Sequence, residues 1–395
     1  MKDEHFKVCY FLSTTDVAGG ANRSFLDLIS HLLKCHFSNL DYVVIIRGHG
    51  PIEKELNAMG IKYYLVNYAE SIKGVNIYRT LRRIVKNTLA CGTVCRILRR
   101  EKINLLHNNS LPTTIGMEAS LICRIPYICH VRENIWSGLG MYFYFPGMVK
   151  KLMNHANALI YISNFTKKSY AGFAENSNTF ILNDGIALEN YKLPERTLFS
   201  ESTVALSILG GINPQKGQME AVKAFEILKK RGWHNIQLNI VGNGGKWKGS
   251  SEYYDTLKDY VKRNKLNEVH FSNVIEDLAE LRKFRQHIDI SLICSSAEGL
   301  GRTTIESLIS GSLVIAANAG ASSEIIEDGV SGLLYQPGNP EDLANKIEWA
   351  INNKAYSCKI AKAGQQYAIG HFNVEDYAPT IVKIYADILK AQRKN

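Results

Sequence analysis

Short runs rich in β-branched and aromatic residues alternate with longer amphipathic stretches along the whole chain. The runs fall at residues 7–12, 42–46, 105–106, 158–163, 179–182, 204–209, 237–241, 290–294 and 313–317. Their side chains are nearly all apolar instead of alternating with polar ones, as strands are when helices cover both faces of a parallel sheet. Strand and helix in regular succession predict βαβ units and an α/β fold. The rhythm breaks at 184–203, where Asp184-Gly185, Pro194 and mixed charges precede the next apolar run at Val204.

At 395 residues the chain exceeds what one core usually supports, about 250 residues. Two doubly wound, Rossmann-like domains are therefore predicted, at 1–190 and 191–375, with a last helix at 376–395 packing back on the first. Two such sheets facing one another would leave a cleft at the carboxyl ends of their strands, where open α/β sheets bind ligands.

Composition narrows the class. Hydrophobic content of 46% and charged content of 21% suit a folded chain and argue against disorder. No window supplies the roughly 18 apolar residues of a membrane span, and Met1-Lys2-Asp3-Glu4-His5 is too polar for a secretory signal, so a cytoplasmic protein is expected. The eight cysteines include no Cys-x-x-Cys pair and read as buried thiols, not disulfides or zinc ligands. A formal charge of +10 favours an anionic partner.

Three constellations carry candidate chemistry. The first predicted strand runs into Gly19-Gly20 and a helix start, where small residues let the backbone approach a phosphate or a sugar oxygen. Leu209-Gly210-Gly211-Ile212-Asn213-Pro214-Gln215-Lys216-Gly217 follows the first strand of the second domain and hangs Lys216 over its carboxyl end, where an ammonium can neutralise a departing diphosphate. In Glu298-Gly299-Leu300-Gly301-Arg302-Thr303-Thr304-Ile305-Glu306, two glutamates eight positions apart flank a Gly-x-Gly turn that opens a helix. Loop N–H groups there can face a diphosphate, Glu306 can accept from a ribose diol, and Glu298 can meet sugar hydroxyls.

With these residues in place the sequence resembles the retaining glycosyltransferases of family 4, which have the GT-B fold. Glu298–Glu306 looks like their Glu-x7-Glu motif, and Ala319-Gly320, Glu324, Asp328-Gly329 and Pro337-Gly338 continue the likeness. Val241-Gly242-Asn243-Gly244 and Asp289 also match. The resemblance implies donor binding by Gly19, Gly20, Gly211, Lys216, Gly242, Glu298, Gly299, Leu300, Gly301, Arg302, Thr303 and Glu306. It also implies a catalytic set of His130, Glu298 and Lys216, with His107 at a second family position. Two departures stand out: Gly211 occupies the place of a usual arginine, and Asp184-Gly185-Ile186-Ala187 stands for the usual Asn-Gly-(Val/Ile)-Asp.

No Asp-x-Asp occurs, so transfer without a metal or other cofactor is expected, with Lys216, the helix start near Gly301 and Arg302 stabilising the leaving phosphate. The implied reaction moves a sugar from a nucleotide-sugar, UDP-linked before GDP-mannose, to a hydroxyl of a lipid-linked saccharide in surface polysaccharide assembly. Residues 79–102 hold eight cations against Glu101 alone, with Ile77, Leu81, Ile84, Val85 and Leu89 at helical spacing. Residues 136–151 join Trp136, Tyr142, Phe143, Tyr144 and Phe145 to Lys150 and Lys151. Both suit an anionic membrane surface, and a peripheral place on its inner face is expected. No nucleic-acid module is present to use the charge instead. The alternatives are a nucleotide-sugar epimerase of the same fold and an inactive sugar-nucleotide-binding homologue.

Overall fold

The computed structural model describes residues 5–35, 39–74, 76–136, 140–244 and 250–392. The polar start Met1–Glu4 and part of the aromatic stretch at 136–151 lie outside the described residues. The chain divides into two compact units, one comprising Met1–Ile186 and Val374–Asn395, the other Ala187–Asn373.

In the first unit β1 (Phe6–Phe11), α1 (Gly20–Lys34), β2 (Leu40–Ile46), α2 (Ile52–Ala58), β3 (Lys62–Leu65) and α3 (Ile77–Arg100) form one half. Then come β4 (Leu105–Asn108), α4 (Ile115–Cys123), β5 (Tyr127–Val131), α5 (Pro146–His155), β6 (Ala158–Tyr161), α6 (Asn164–Ser169) and β7 (Thr179–Ile181). In the second unit β8 (Val204–Leu209), α7 (Gln218–Lys230), β9 (Ile236–Val241), α8 (Ser250–Arg263), β10 (Val269–Ser272) and α9 (Leu278–Gln286) precede β11 (Ile290–Ile293) and α10 (Arg302–Ile309). It closes with β12 (Leu313–Ala317), α11 (Ser322–Ile325), β13 (Leu333–Tyr335), α12 (Pro340–Asn352) and α13 (Lys354–His371), after which α14 (Val374–Gln392) returns to the first unit.

Both sheets are parallel, in the orders β3-β2-β1-β4-β5-β6-β7 and β10-β9-β8-β11-β12-β13. Successive side chains of a strand point to opposite faces. Along β1, Val8 and Tyr10 therefore join a core layer with Phe25 and Ile29 of α1 and Ile381 and Tyr385 of α14, while Cys9 and Phe11 join the opposite layer with Val94 and Leu98 of α3. The second unit buries Leu206, Ile208, Leu238, Ile240, Leu292 and Ile315 beneath Phe225, Leu343 and Ile347. No described helix is long and apolar enough to cross a membrane.

The crossing points differ slightly from the predicted boundaries. The first unit ends at Ile186, and α14 starts at Val374, whose amide donates to the Ile186 carbonyl oxygen at 3.1 Å. The uniform reading of the cysteines is corrected: five are buried, but Cys123 and Cys358 are partly exposed and Cys35, following α1, is exposed, its sulfur 3.2 Å from His31 Nε2.

Candidate active site

An open parallel sheet offers a binding crevice where its strand order reverses. In the second unit that point lies between β8 and β11, and the loops leaving these two strands carry Lys216 and Glu298. Asn213 shapes the first loop: its Oδ1 accepts from the amides of Gln215 at 3.1 Å and Lys216 at 3.3 Å. Gly217 follows at φ +69°, a left-handed conformation costly for other residues, and a β-carbon there would strike the Cys294 carbonyl oxygen and sit 2.7 Å from Cys294 Cβ. The loop can thus lie against the end of β11, and the Lys216 ammonium donates a hydrogen bond to the Glu298 carboxylate. Both side chains keep partial solvent access, 30% and 16% respectively, so the pair is reachable by a ligand.

Glu298 is held through its backbone, its carbonyl accepting from Ala321 N at 3.0 Å. Leu300 is buried and anchors the turn, while Gly299 and Thr303 remain partly exposed. Gly301, at φ +79°, precedes α10 and offers no side-chain cap. The first-turn amides of a helix have no intrahelical acceptor and carry the positive end of its dipole, so this end favours an anion.

Glu306 lies one turn into α10 and is buried. Its Oε1 accepts from Arg302 Nε at 2.8 Å and its Oε2 from Arg285 at 2.9 Å. Arg285 also donates to Ser307 Oγ at 2.9 Å, and both guanidinium groups lie 5.8 Å from the Tyr191 ring centre. A carboxylate has about four acceptor positions, so two remain for a ligand diol. Arg302, expected beside the leaving phosphate, places its Nε on Glu306. Across these loops three cations face two carboxylates, leaving a surplus positive charge.

Gly211 and Gly242 sit at the ends of the neighbouring strands. The Gly211 carbonyl accepts from Gln218 Nε2 at 3.0 Å, and the Gly242 amide donates to the Ser272 carbonyl at 3.0 Å. Asp289, a match to the resembled family, serves the backbone: its carboxylate accepts from Phe199 N at 2.7 Å and Ala205 N at 3.0 Å.

In the first unit the corresponding reversal lies between β1 and β4. The loops there are tied by Ser13 Oγ to Ser110 Oγ at 3.0 Å and by Asn109 Nδ2 to the Ala21 carbonyl at 3.1 Å. Gly19 and Gly20 do lead into α1, but the Gly19 amide donates to Asp16 Oδ1 at 2.6 Å. A carboxylate already at this helix end disfavours a phosphate and suits hydroxyl groups better.

His107 and His130 end up in a buried polar chain. His130, which the resemblance places beside the donor sugar, is 0% exposed. Arg132 lies 3.3 Å from His130 Nδ1, and a guanidinium only donates, so Nδ1 accepts and the ring proton sits on Nε2. His107 Nε2, 3.1 Å from the same Nδ1, then donates, and His107 Nδ1 accepts from the Tyr385 hydroxyl at 2.6 Å. Tyr385 in turn accepts from Tyr10 at 2.6 Å. Burial and the Arg132 charge hold both imidazoles neutral, His107 down to about 3 and His130 well below its ordinary value. His130 Nε2 lies 3.9 Å from Asp184 Oδ1 and has no hydrogen-bond partner, while Asp184 bonds Arg132 and, at 3.4 Å, Tyr377.

Glu133 was not singled out in the sequence. Its Oε1 accepts from Ser110 Oγ at 2.7 Å, and burial lifts its carboxyl to about 6 despite that bond and the nearby Arg132. Arg285, Tyr191 and Tyr385 were also missed, because each reaches its partner from a distant stretch of chain, and so was Arg132, whose ion-pair partner Asp184 lies 52 residues on. Among the described residues no group of three or more His, Cys, Asp or Glu side chains is arranged to hold a metal ion.

Comparisons with known proteins bear on the family and the fold. The family described as glycosyl transferases group 1 matches residues 192–367, nearly all of the second unit. An uncharacterized glycosyltransferase of Methanocaldococcus jannaschii is 23% identical over 331 residues, covering 82% of this chain and 84% of that one. A lipopolysaccharide 1,2-N-acetylglucosaminetransferase of Salmonella typhimurium is 25% identical over 230 residues, 56% of this chain and 59% of its own. The Anabaena protein Alr3699/HepE, solved in complex with UDP and glucose, shares the fold with a TM-score of 0.80 at 21% identity, over 97% of this chain and 100% of that one. The second unit matches the glycosyl transferases group 1 family, and the chain is a glycosyltransferase of the GT-B fold.

Proposed function

We propose that this glycosyltransferase moves a sugar from a UDP-sugar, with GDP-mannose as the second candidate, to a hydroxyl of a lipid-linked saccharide in surface polysaccharide assembly, with retention at the anomeric carbon. The observation that carries the donor side is the Lys216 ammonium bonded to Glu298 across the strand-order reversal, beside the uncapped start of α10. A diphosphate entering there would take the ammonium from Glu298 and free that carboxylate for sugar hydroxyls. Glu306, its orientation set by Arg285 and Arg302, would accept from the ribose diol. The bond between the anomeric carbon and the phosphate oxygen breaks as the acceptor oxygen bonds the same face, and the acceptor proton passes to the departing phosphate. The Anabaena structure with UDP and glucose supports a UDP donor, and the Salmonella relative's name supports a lipopolysaccharide or related acceptor. Such an acceptor would bring the enzyme to the inner membrane face.

A thermal-shift screen against UDP, GDP, ADP and their sugars, with EDTA present, tests the donor, since a ligand that binds only the folded state raises its stability. A shift with uridine nucleotides alone is expected. NMR of the product with a synthetic lipid-linked acceptor then reads the anomeric configuration. A free epimerised nucleotide-sugar would indicate the epimerase, and binding without turnover the inactive homologue.

A further inference from the structure

The first half of α3 is built inside out. Ile77, Tyr78, Leu81, Val85 and Leu89 are between 54% and 74% exposed, whereas the core residues of this helix begin only at Asn87 and dominate its second half. Ile77, Leu81, Val85 and Leu89 recur at every fourth position and so form one ridge. Arg79, Arg82, Arg83 and Lys86 flank the ridge, Arg96, Arg99 and Arg100 follow in the second half, and Ile77–Arg100 contains no acid. Exposed apolar area of this extent marks a surface made to be covered.

The second aromatic stretch is joined to this ridge by the fold. Ile72 and Phe143 form an antiparallel bridge, Lys73 N donates to the Tyr142 carbonyl at 2.7 Å, and Tyr144 N donates to that of Ser71 at 3.2 Å. From the helix side, Arg83 donates to the Ile72 carbonyl and Asn87 to the Tyr144 hydroxyl, both at 2.9 Å. Trp136 and Phe143 pack inward against Tyr170 and Phe173, which removes them from the surface expected for them. Tyr142 and Phe145 stay exposed, next to the segment that leads into α3.

We infer that the α3 ridge and the adjoining Tyr142–Phe145 turn form one docking surface that lies in the plane of an anionic bilayer, the ridge entering the acyl boundary and the basic flanks meeting lipid phosphates. This surface deepens the acceptor reading above, which brings the enzyme to the membrane, and rests on it only for purpose. Charge and apolarity together select this occupant. A second copy would set two strongly cationic faces against each other, and a free polyanion would leave the ridge in water.

The test is flotation of the full chain with vesicles of phosphatidylcholine alone and of phosphatidylcholine with phosphatidylglycerol, at low and high salt. Binding is expected only to the anionic vesicles. The double variant Arg79→Gln/Arg82→Gln should partition about thirty-fold more weakly, at the usual contribution of one membrane-facing cation. Leu81→Gln/Leu89→Gln, which keeps helix propensity, should lose on the order of ten-fold or more, and this loss should persist at all salt concentrations. Thermal unfolding and the nucleotide shift of both variants should match the parent, which separates lost docking from lost fold and from a wrong donor. Equal binding to neutral vesicles, insensitivity to the leucine changes, or a concentration-dependent dimer abolished by them would each overturn the inference.

Discussion

Replacing Lys216 by methionine separates its proposed catalytic role from a structural one. The ammonium is 30% exposed and bonds a carboxylate that is itself reachable by solvent. Such a pair contributes about 1 kcal/mol or less to folding, so the melting temperature should move by only about 2–4 °C. Catalysis should respond far more. Cleavage of the donor ester leaves the nucleotide diphosphate with one more negative charge than it carries in the nucleotide-sugar. The lysine therefore acts mainly on the charge that develops. Loss of one such preorganised group costs about 2.7–4 kcal/mol, a fall of roughly a hundred- to a thousand-fold in kcat. The same logic predicts that affinity for UDP falls more than affinity for the UDP-sugar, since only UDP presents the extra charge. Turnover at saturating donor, together with calorimetric titration of both nucleotides without acceptor, measures the two effects. Equal losses of affinity with an unchanged kcat would refute the assignment.

Glu306→Gln should weaken donor binding and also cost about 3 kcal/mol in urea unfolding, because Arg285 is left buried without its carboxylate. Gly217→Ala should lower stability by at least about 1 kcal/mol through its left-handed backbone and the Cys294 carbonyl, and a crystal structure should show Lys216 drawn away from Glu298. Glu133 has a folded-state pKa of about 6, above its ordinary 4.5, so its burial carries no penalty below pH 4.5 and a growing one as pH rises to about 6. Its contribution should destabilise the native state by about 2 kcal/mol at neutral pH, and the pH dependence of unfolding should flatten by that amount in Glu133→Gln. Tyr385→Phe removes the donor to His107 and the acceptor for Tyr10, and should destabilise by about 1–3 kcal/mol without changing nucleotide affinity, read by unfolding and titration together.

Much of the fold was legible because parallel strands covered on both faces are written as unbroken apolar runs. The strands 204–209 and 313–317 coincide with β8 and β12. Three others, β3, β10 and β13, have weaker signatures for a physical reason. β3 is an outer strand whose residues Lys62–Leu65 stay half exposed, and β10 at the other sheet's edge alternates Val269 with the exposed His270. β13 has only three residues. An edge strand need not be apolar on both faces, so its sequence resembles a loop.

The site was legible to the extent that its chemistry is local. Lys216, Gly217, Glu298, Gly301 and Glu306 lie in two short segments, each a strand end followed by a helix start, and the loop geometry can be argued from glycine and asparagine positions alone. Most of what orients those groups is not local. Glu306 depends on Arg285 from the last turn of the preceding helix, and His130 depends on Arg132, Asp184 and, through His107, on Tyr385 from a helix that returns after the entire second unit. Arg285 and Tyr385 have no distinctive neighbourhood in sequence. An arginine in a last helical turn reads as a favourable end charge, and a tyrosine at helical spacing reads as core. Their shared feature appears only on folding: a buried charge or proton must find a partner, and the partner it finds fixes the direction in which the Glu306 carboxylate or the His130 imidazole points its free positions. For His130 that direction is set by a guanidinium, which cannot accept a proton, so the imidazole presents an N–H and not a lone pair toward Asp184.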